Sequence, residues 1–232
     1  MVKAGWAVVA AHVIVFRVRV TEGADVKLTK SHVAMLEDIL KWRRDVRHFR
    51  RDPIDPDLLA VLQDSMAHAP SVGNARPWRV IQVESPDLRV EIIANFETSN
   101  AAAAMDYTPD EQADYFALKL AGLREAPVHL AVFTDMSVQE GRGLGRQSMP
   151  ETLSYSTVMA IYTLWLTARA HNIGLGWVSI LDPVAVSATL DVPKEWSFTG
   201  YLCLGHTASD SDTPLLHETG WQEDTRQSWD VR

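Results

Sequence analysis

Thr152 to Asn172 reads TLSYSTVMAIYTLWLTARAHN and runs straight into Ile173-Gly-Leu-Gly-Trp-Val-Ser179. Val158, Ile161, Tyr162, Trp165, Leu166 and Arg169 recur at the spacing of one helical face, which makes this the clearest helix in the chain. Gly174 is placed to end it, and Trp177 to Leu181 has the aromatic and β-branched make-up of a strand. Working upstream, Gly141 to Pro150 (GRGLGRQSMP) is a loop by composition. Val128 to Thr134 (VHLAVFT) reads as a buried strand and Trp78 to Val83 (WRVIQV) as another. Ala94 to Arg124, between them, predicts two helices broken at Thr108-Pro109. Downstream, Thr199 to Leu204 predicts a further strand, after a short helix ending near Asp191-Val-Pro193. Near the start, His32 to Trp42 carries Val33, Leu36, Ile39 and Leu40 at helical spacing behind Ser31 as N-cap. Asp55-Pro56 opens a helix that turns Leu58, Leu59, Leu62 and Met66 inward and stops at Ala69-Pro70. Helices and strands mix without regular βαβ alternation, so the expectation is one α+β domain over residues 32–232.

The chain has 232 residues, 47% hydrophobic and 22% charged, the composition of a globular protein rather than a disordered or fibrous one. Twenty-two basic against 30 acidic side chains leave a formal charge of −8, so no overall positive field exists for nucleic acid or anionic lipid. An anionic ligand must be met locally. The single cysteine, Cys203, excludes an intramolecular disulfide and any multi-cysteine metal site, and fits a reducing compartment. The apolar run Ala4 to Phe16 resembles part of a signal peptide, but it is too short to span a bilayer, which takes about 20 apolar residues. It leads into Arg17-Val-Arg19-Val20 without a small-x-small cleavage pattern. Residues 1–31 are therefore set aside as an N-terminal extension, a strand or an unnatural upstream start, and the expected location is cytoplasmic, with no membrane partner.

Three clusters could carry chemistry. Arg43-Arg44-Asp45-Val46-Arg47-His48-Phe49 places three guanidiniums within five residues. Planar forks of this kind bond two phosphate oxygens at once and never lose their charge; a solvated face paired with Glu37 and Asp38 is the competing reading. The small and polar turn Ala69 to Trp78 (APSVGNARPW) leads into a strand and exposes backbone amides. Gly174-Leu-Gly176-Trp177-Val178-Ser179 contains glycines that permit close backbone approach to a ligand, or that merely serve a helix–strand turn. The histidines show no zinc-protease spacing; His48, His68 and His129 read as surface or ordinary core residues, and no metal is expected. Cys203 reads as a small buried hydrophobe. The glycine run 141–145 lacks the strand–turn–helix setting of a dinucleotide site and is read as a lid or dimer-contact loop.

Taken in order, Arg-Arg-x-x-Arg-x-Phe, the Ala-Pro-Ser turn with Asn74 and Pro77-Trp78, Gly-x-Gly-Trp after the long helix, and Leu202 to Gly205 (Leu-x-Leu-Gly) resemble the FMN-dependent nitroreductase superfamily over roughly residues 33–229. Asp45, where ordinary nitroreductases usually carry serine, and Ser179 in Gly-Trp-Val-Ser resemble one branch of it, the BluB family of aerobic 5,6-dimethylbenzimidazole synthases. Leu118-Lys119-Leu120, Tyr155-Ser156-Thr157, Leu164-Trp165-Leu166 and Ala168-Arg169-Ala170 add to that likeness.

The resemblance implies a central mixed or antiparallel sheet flanked by helices, in an intertwined homodimer with FMN bound between subunits. It implies oxygen-dependent fragmentation of reduced FMN, taken as substrate, to 5,6-dimethylbenzimidazole and erythrose 4-phosphate. O₂ is then co-substrate, and a flavin reductase or free reduced FMN is the supply, with NAD(P)H entering only indirectly. Arg43, Arg44 and Arg47 would hold the phosphate and ribityl chain, Ser71 the ribityl or phosphate end, and Lys119 the flavin ring or ribityl hydroxyls; Gly176, Trp177 and Val178 would line the reactive edge. Asp45 would accept a proton near the ribityl carbon and flavin nitrogens, its arginine neighbours favouring the ionised form. Ser179 would hydrogen-bond near flavin N5 and position oxygen, having no base that would make it a nucleophile. Arg76 departs from the family turn and either aids phosphate binding or faces solvent. Two rivals share the arginines: an NAD(P)H-driven FMN reductase of nitro compounds, halogenated phenols or a corrinoid, and a flavin storage or sensing module.

Overall fold

Four strands pair antiparallel into a single sheet of order β1-β2-β4-β3: β1 Trp78–Gln82, β2 Val128–Asp135, β3 Ile173–Val178 and β4 Trp196–His206. The computed structural model describes residues 26–118, 120–225 and 227–232. β2 is buried along its whole length, as its unbroken apolar run requires of a central strand covered on both faces. In chain order the helices are α1 Lys30–Trp42, α2 Pro56–Ser65, α3 Pro86–Ala104, α4 Pro109–Ala117, α5 Thr152–Ala170, α6 Pro183–Thr189 and the short α7 Leu215–Glu218. The α+β expectation holds, with every strand pairing antiparallel. Among the described residues no helix is long and apolar enough to cross a membrane, and the apolar run 4–16 lies outside those residues.

Local chemistry sets most of the boundaries. Asp55 caps α2 by accepting the Asp57 N–H at 2.8 Å, with Pro56 at the first helical position. Thr108 and Glu111 form a reciprocal capping box that starts α4 where the sequence breaks. Several expectations shift. α1 begins at Lys30 behind Thr29, not Ser31, and its Val33, Leu36 and Leu40 stay exposed. α3 starts at Pro86 behind Ser85, eight residues before the expected helix. α6 ends at Thr189, before the Asp191-Val-Pro193 stop. Gly174 does not end α5: the helix stops at Ala170, Asn172 takes the left-handed turn at φ 58°, and Gly174 lies inside β3.

The helical face of α5 is also rotated from the expected one. Its buried residues are Leu153, Ser156, Thr157, Ala160, Ile161, Leu164 and Ala168, whereas Val158 is exposed and Trp165 half-buried. Of the expected stripe, Ile161 is buried, Tyr162, Trp165, Leu166 and Arg169 are half-buried and Val158 is exposed. Leu164, Ile161 and Ala160 pack with Val132, Leu202 and Leu204 in one core layer. On the opposite face of the sheet, Phe133, Tyr201, Cys203 and Phe49 pack with Ile92 of α3 and Val186 of α6. His129 and Tyr201 meet there at 3.1 Å, and burial keeps His129 neutral by lowering its pKa to about 4. Cys203 is fully buried, and burial pushes its thiol pKa up, as expected of a small hydrophobe.

Candidate active site

The chain leaving α1 runs along the open edge of β3. Asp45 forms a parallel bridge with Leu175, the Val46 N–H donates to the Leu175 carbonyl at 3.0 Å, and Phe49 pairs with Thr207 beyond β4. This pins residues 43–49 to the sheet and closes a cavity of about 370 Å³ that Arg43, Arg44, Asp45 and Arg47 share with residues of the segment after β4, Ser209, Thr213 and Glu218 among them. Asp210 of that segment holds Arg169 at 2.7 Å and Asp212 holds Lys41 at 3.0 Å. The Nε atoms of Arg43 and Arg44 are buried without a hydrogen-bond partner, which marks the site as built for an acceptor.

Asp45 is fixed by two contacts. Its Oδ1 accepts the Trp177 backbone N–H at 2.8 Å and its Oδ2 accepts from Arg47 Nε at 3.1 Å. The arginines favour the ionised form, as their charge requires, but burial outweighs them. Burial raises the carboxyl pKa above its ordinary 3.8, and the Trp177 amide, Arg47 and Arg43 only partly offset that. The carboxyl is nevertheless 35% exposed toward the cavity, which leaves room to exchange a proton with a ligand.

Gly176 has a different task from the one its motif suggests. A Cβ there would stand 2.1 Å from the Val46 carbonyl oxygen, so the close backbone approach it permits is to the chain's own arginine segment. The Trp177 ring lies against Gly200 and 6.5 Å from the Trp165 ring. Val178 is buried in the core, so its side chain contributes packing rather than a ligand contact. Ser179 stands exposed just past the end of β3, not buried in the strand. The assignment for Lys119 lies outside the described residues.

Ser71 is not near the arginines within one chain. Its Oγ accepts the Arg76 N–H at 3.1 Å and closes the 69–78 turn, while the next residue, Val72, donates to Ser156 Oγ at 3.0 Å. Ser156 lies near the start of α5, and Trp165, whose indole donates to the Arg44 carbonyl at 3.2 Å, lies nine residues further on. At 1.5 Å per residue this separates the two halves of the candidate site by about 13 Å along one helix. The turn packs on the 141–145 loop, glycine against glycine: a Cβ on Gly141 would meet the Gly73 carbonyl oxygen at 2.5 Å. Arg76 is exposed and borders a separate cavity of about 440 Å³ between α2 and β1.

Sequence reading missed the residues that reach the cluster from afar. Arg43 lies over the rings of Tyr162 and Trp165, 5.8 and 5.1 Å from their centroids. The Arg44 guanidinium donates to the Asp212 carbonyl. These partners are more than a hundred residues away in sequence, and no local spacing signals them.

Comparison with known proteins agrees with this architecture. The nitroreductase family model matches residues 40–206. The chain is 53% identical over 203 residues to a 5,6-dimethylbenzimidazole synthase of Rhodobacter capsulatus, covering 88% of this chain and 98% of that protein. It is 52% identical over 187 residues to a protein of the same name from Rhodospirillum rubrum, covering 81% and 89%. Among solved structures, an oxidized iodotyrosine deiodinase bound to FMN and 3-iodo-L-tyrosine superposes with a TM-score of 0.66 at 23% identity, over 85% of this chain and 97% of that one, a likeness of fold. A sheet of this order, an arginine segment laid on its edge and a sequence match running through both place the chain in the nitroreductase family, in the branch that holds these 5,6-dimethylbenzimidazole synthases.

Proposed function

We propose that the chain converts reduced FMN and O₂ to 5,6-dimethylbenzimidazole and erythrose 4-phosphate, with the remaining pyrimidine-ring atoms of the flavin released as a separate oxidised fragment and O₂ as the electron acceptor. The observation that carries the reading is identity above 50% over most of the chain to synthases of that name, running through both the Asp45 and the Ser179 segments. The site's chemistry fits the flavin: Arg43, Arg44 and Arg47 line one cavity of about 370 Å³, and guanidinium forks suit a phosphate monoester. Arg43, Arg44 and Arg47 would hold that phosphate. Bound reduced FMN supplies both the electrons that O₂ accepts and the carbon skeleton of the product. Asp45 accepts a proton at the ribityl carbon or a flavin nitrogen, and Arg47 and the Trp177 amide hold its carboxyl in place. Ser179, exposed at the strand end, donates a hydrogen bond that positions O₂. The reduced flavin arrives free or from a flavin reductase, and the single cysteine suits work in the cytoplasm.

The test is direct. Purified protein mixed with chemically reduced FMN in air is expected to yield 5,6-dimethylbenzimidazole, identified by mass spectrometry. Continuous NAD(P)H oxidation with intact FMN and no benzimidazole would favour a reductase instead, and stable flavin binding without any turnover a storage module.

A homodimer completes the site in this reading. Tyr155, Val158 and Met159 are exposed apolar residues of α5, and Val33, Leu36 and Leu40 are exposed on α1. Two α5 helices packed antiparallel across a two-fold axis would carry the Ser71 turn of one chain to the arginine end of the other, closing the 13 Å gap along the helix. Co-expressing an Asp45→Asn chain with a Gly73→Val chain, each inactive alone, is expected to restore product formation. The hybrid dimer then holds one site with both native halves. Sites contained within single chains would give no recovery.

A further inference from the structure

The three guanidiniums of residues 43–47 are compensated in three different ways. Arg47 is paired with Asp45 at 3.1 Å. Arg44 donates to the Arg43 carbonyl at 2.9 Å and to the Asp212 carbonyl. Arg43 makes no salt bridge among the described residues and its Nε is buried without a partner. In place of a salt bridge it has the faces of two rings, Trp165 at 5.1 Å and Tyr162 at 5.8 Å. A ring face attracts a cation through its quadrupole without neutralising it, so Arg43 is held in position with no carboxylate bonded to its guanidinium. A carboxylate at the same place would hold the guanidinium as well, but would compete with an incoming phosphate.

Trp165 does more than stack. Its indole N–H donates to the Arg44 carbonyl at 3.2 Å, and its ring lies 6.5 Å from that of Trp177, the residue whose amide holds Asp45. One side chain of α5 thus touches both arginines at the head of the cluster and the neighbour of the carboxylate. We propose that Trp165 is the positioning residue that orders Arg43 and Arg44 for the phosphate monoester of the flavin and so sets the preference for a phosphorylated over an unphosphorylated flavin. The inference rests on the reading that these arginines hold the FMN phosphate.

The probes are reduced FMN and reduced riboflavin, which differ only in the phosphate, bound under nitrogen and measured by equilibrium dialysis. In Trp165→Leu the Kd for FMN is expected to rise about tenfold while that for riboflavin stays within about twofold. Trp165→Phe keeps a ring over Arg43 and is expected to retain most of the preference. Riboflavin affinity reports on folding in each variant, so a damaged protein is recognised by parallel loss of both ligands. Such a parallel loss in both variants would overturn the proposal, since it makes Trp165 a packing residue only; unchanged FMN affinity in Trp165→Leu would overturn it as well. A wild-type protein that binds the two flavins equally would instead overturn the phosphate assignment beneath it.

Discussion

Asp45→Asn is expected to lower 5,6-dimethylbenzimidazole formation by about 10²–10⁴-fold, the usual contribution of a positioned proton acceptor, while the protein stays folded and still binds reduced FMN. Asparagine keeps an oxygen where Oδ1 accepts the Trp177 N–H, so the edge of β3 is preserved and the lost element is the titrating oxygen beside Arg47. The pH dependence follows from burial. Because the folded carboxyl is raised above its ordinary 3.8, the ionised, proton-accepting form is lost as pH falls through that raised value. Product formation should therefore show an acid limb displaced upward from the ordinary 3.8, and the residual rate of Asp45→Asn should lack it. Stability runs the other way. A carboxyl raised in the folded state favours folding when protonated, an advantage present below pH 3.8 and lost as pH rises through the folded value. Ser179→Gly, at an exposed position, is expected to lose product in the same assay with flavin binding intact. Unchanged product in both variants would remove Asp45 and Ser179 from the chemistry.

The second large effect lies under the site. In Gly176→Ala the new methyl would sit 2.1 Å from the Val46 carbonyl oxygen, a backbone atom with nowhere to rotate. The arginine segment must then lift from β3, breaking the Val46 to Leu175 and Trp177 to Asp45 bonds together. Overpacking of this kind usually costs about 1–3 kcal/mol and occasionally more, and the coupled loss of two hydrogen bonds puts this case at the upper end. The urea midpoint should fall, and reduced FMN should no longer bind measurably by anaerobic dialysis. A variant that binds FMN normally would show that the segment does not need its place on the strand.

The two substitutions separate what each part of the motif does. The arginines were legible because clustered cations stand out in a chain of net charge −8, whereas Asp45 was singled out by the likeness to one branch of the family. Gly176 was legible as a backbone requirement, but its partner was not: a glycine in sequence says that something comes close, and only the fold shows that Val46 does. The same limit explains α5. Its period identified the helix, but not which residues the core would bury: Leu153, Ser156, Thr157, Ala160, Ile161, Leu164 and Ala168.

The sequence by itself determined the element types, the α+β class, the capped start of α2 and the arginine cluster, since propensity, capping and charge act over a few residues; Asp45 and Ser179 were singled out by the likeness to the family, not by local chemistry. Only the tertiary structure decided that Arg43 rests on rings of a helix more than a hundred residues later, that burial raises rather than lowers the Asp45 pKa, and that Ser71 stands at the far end of α5 from the arginines. Each of these depends on which surfaces meet across the sheet and on how much water they exclude, and desolvation and long-range contact leave no trace in local spacing.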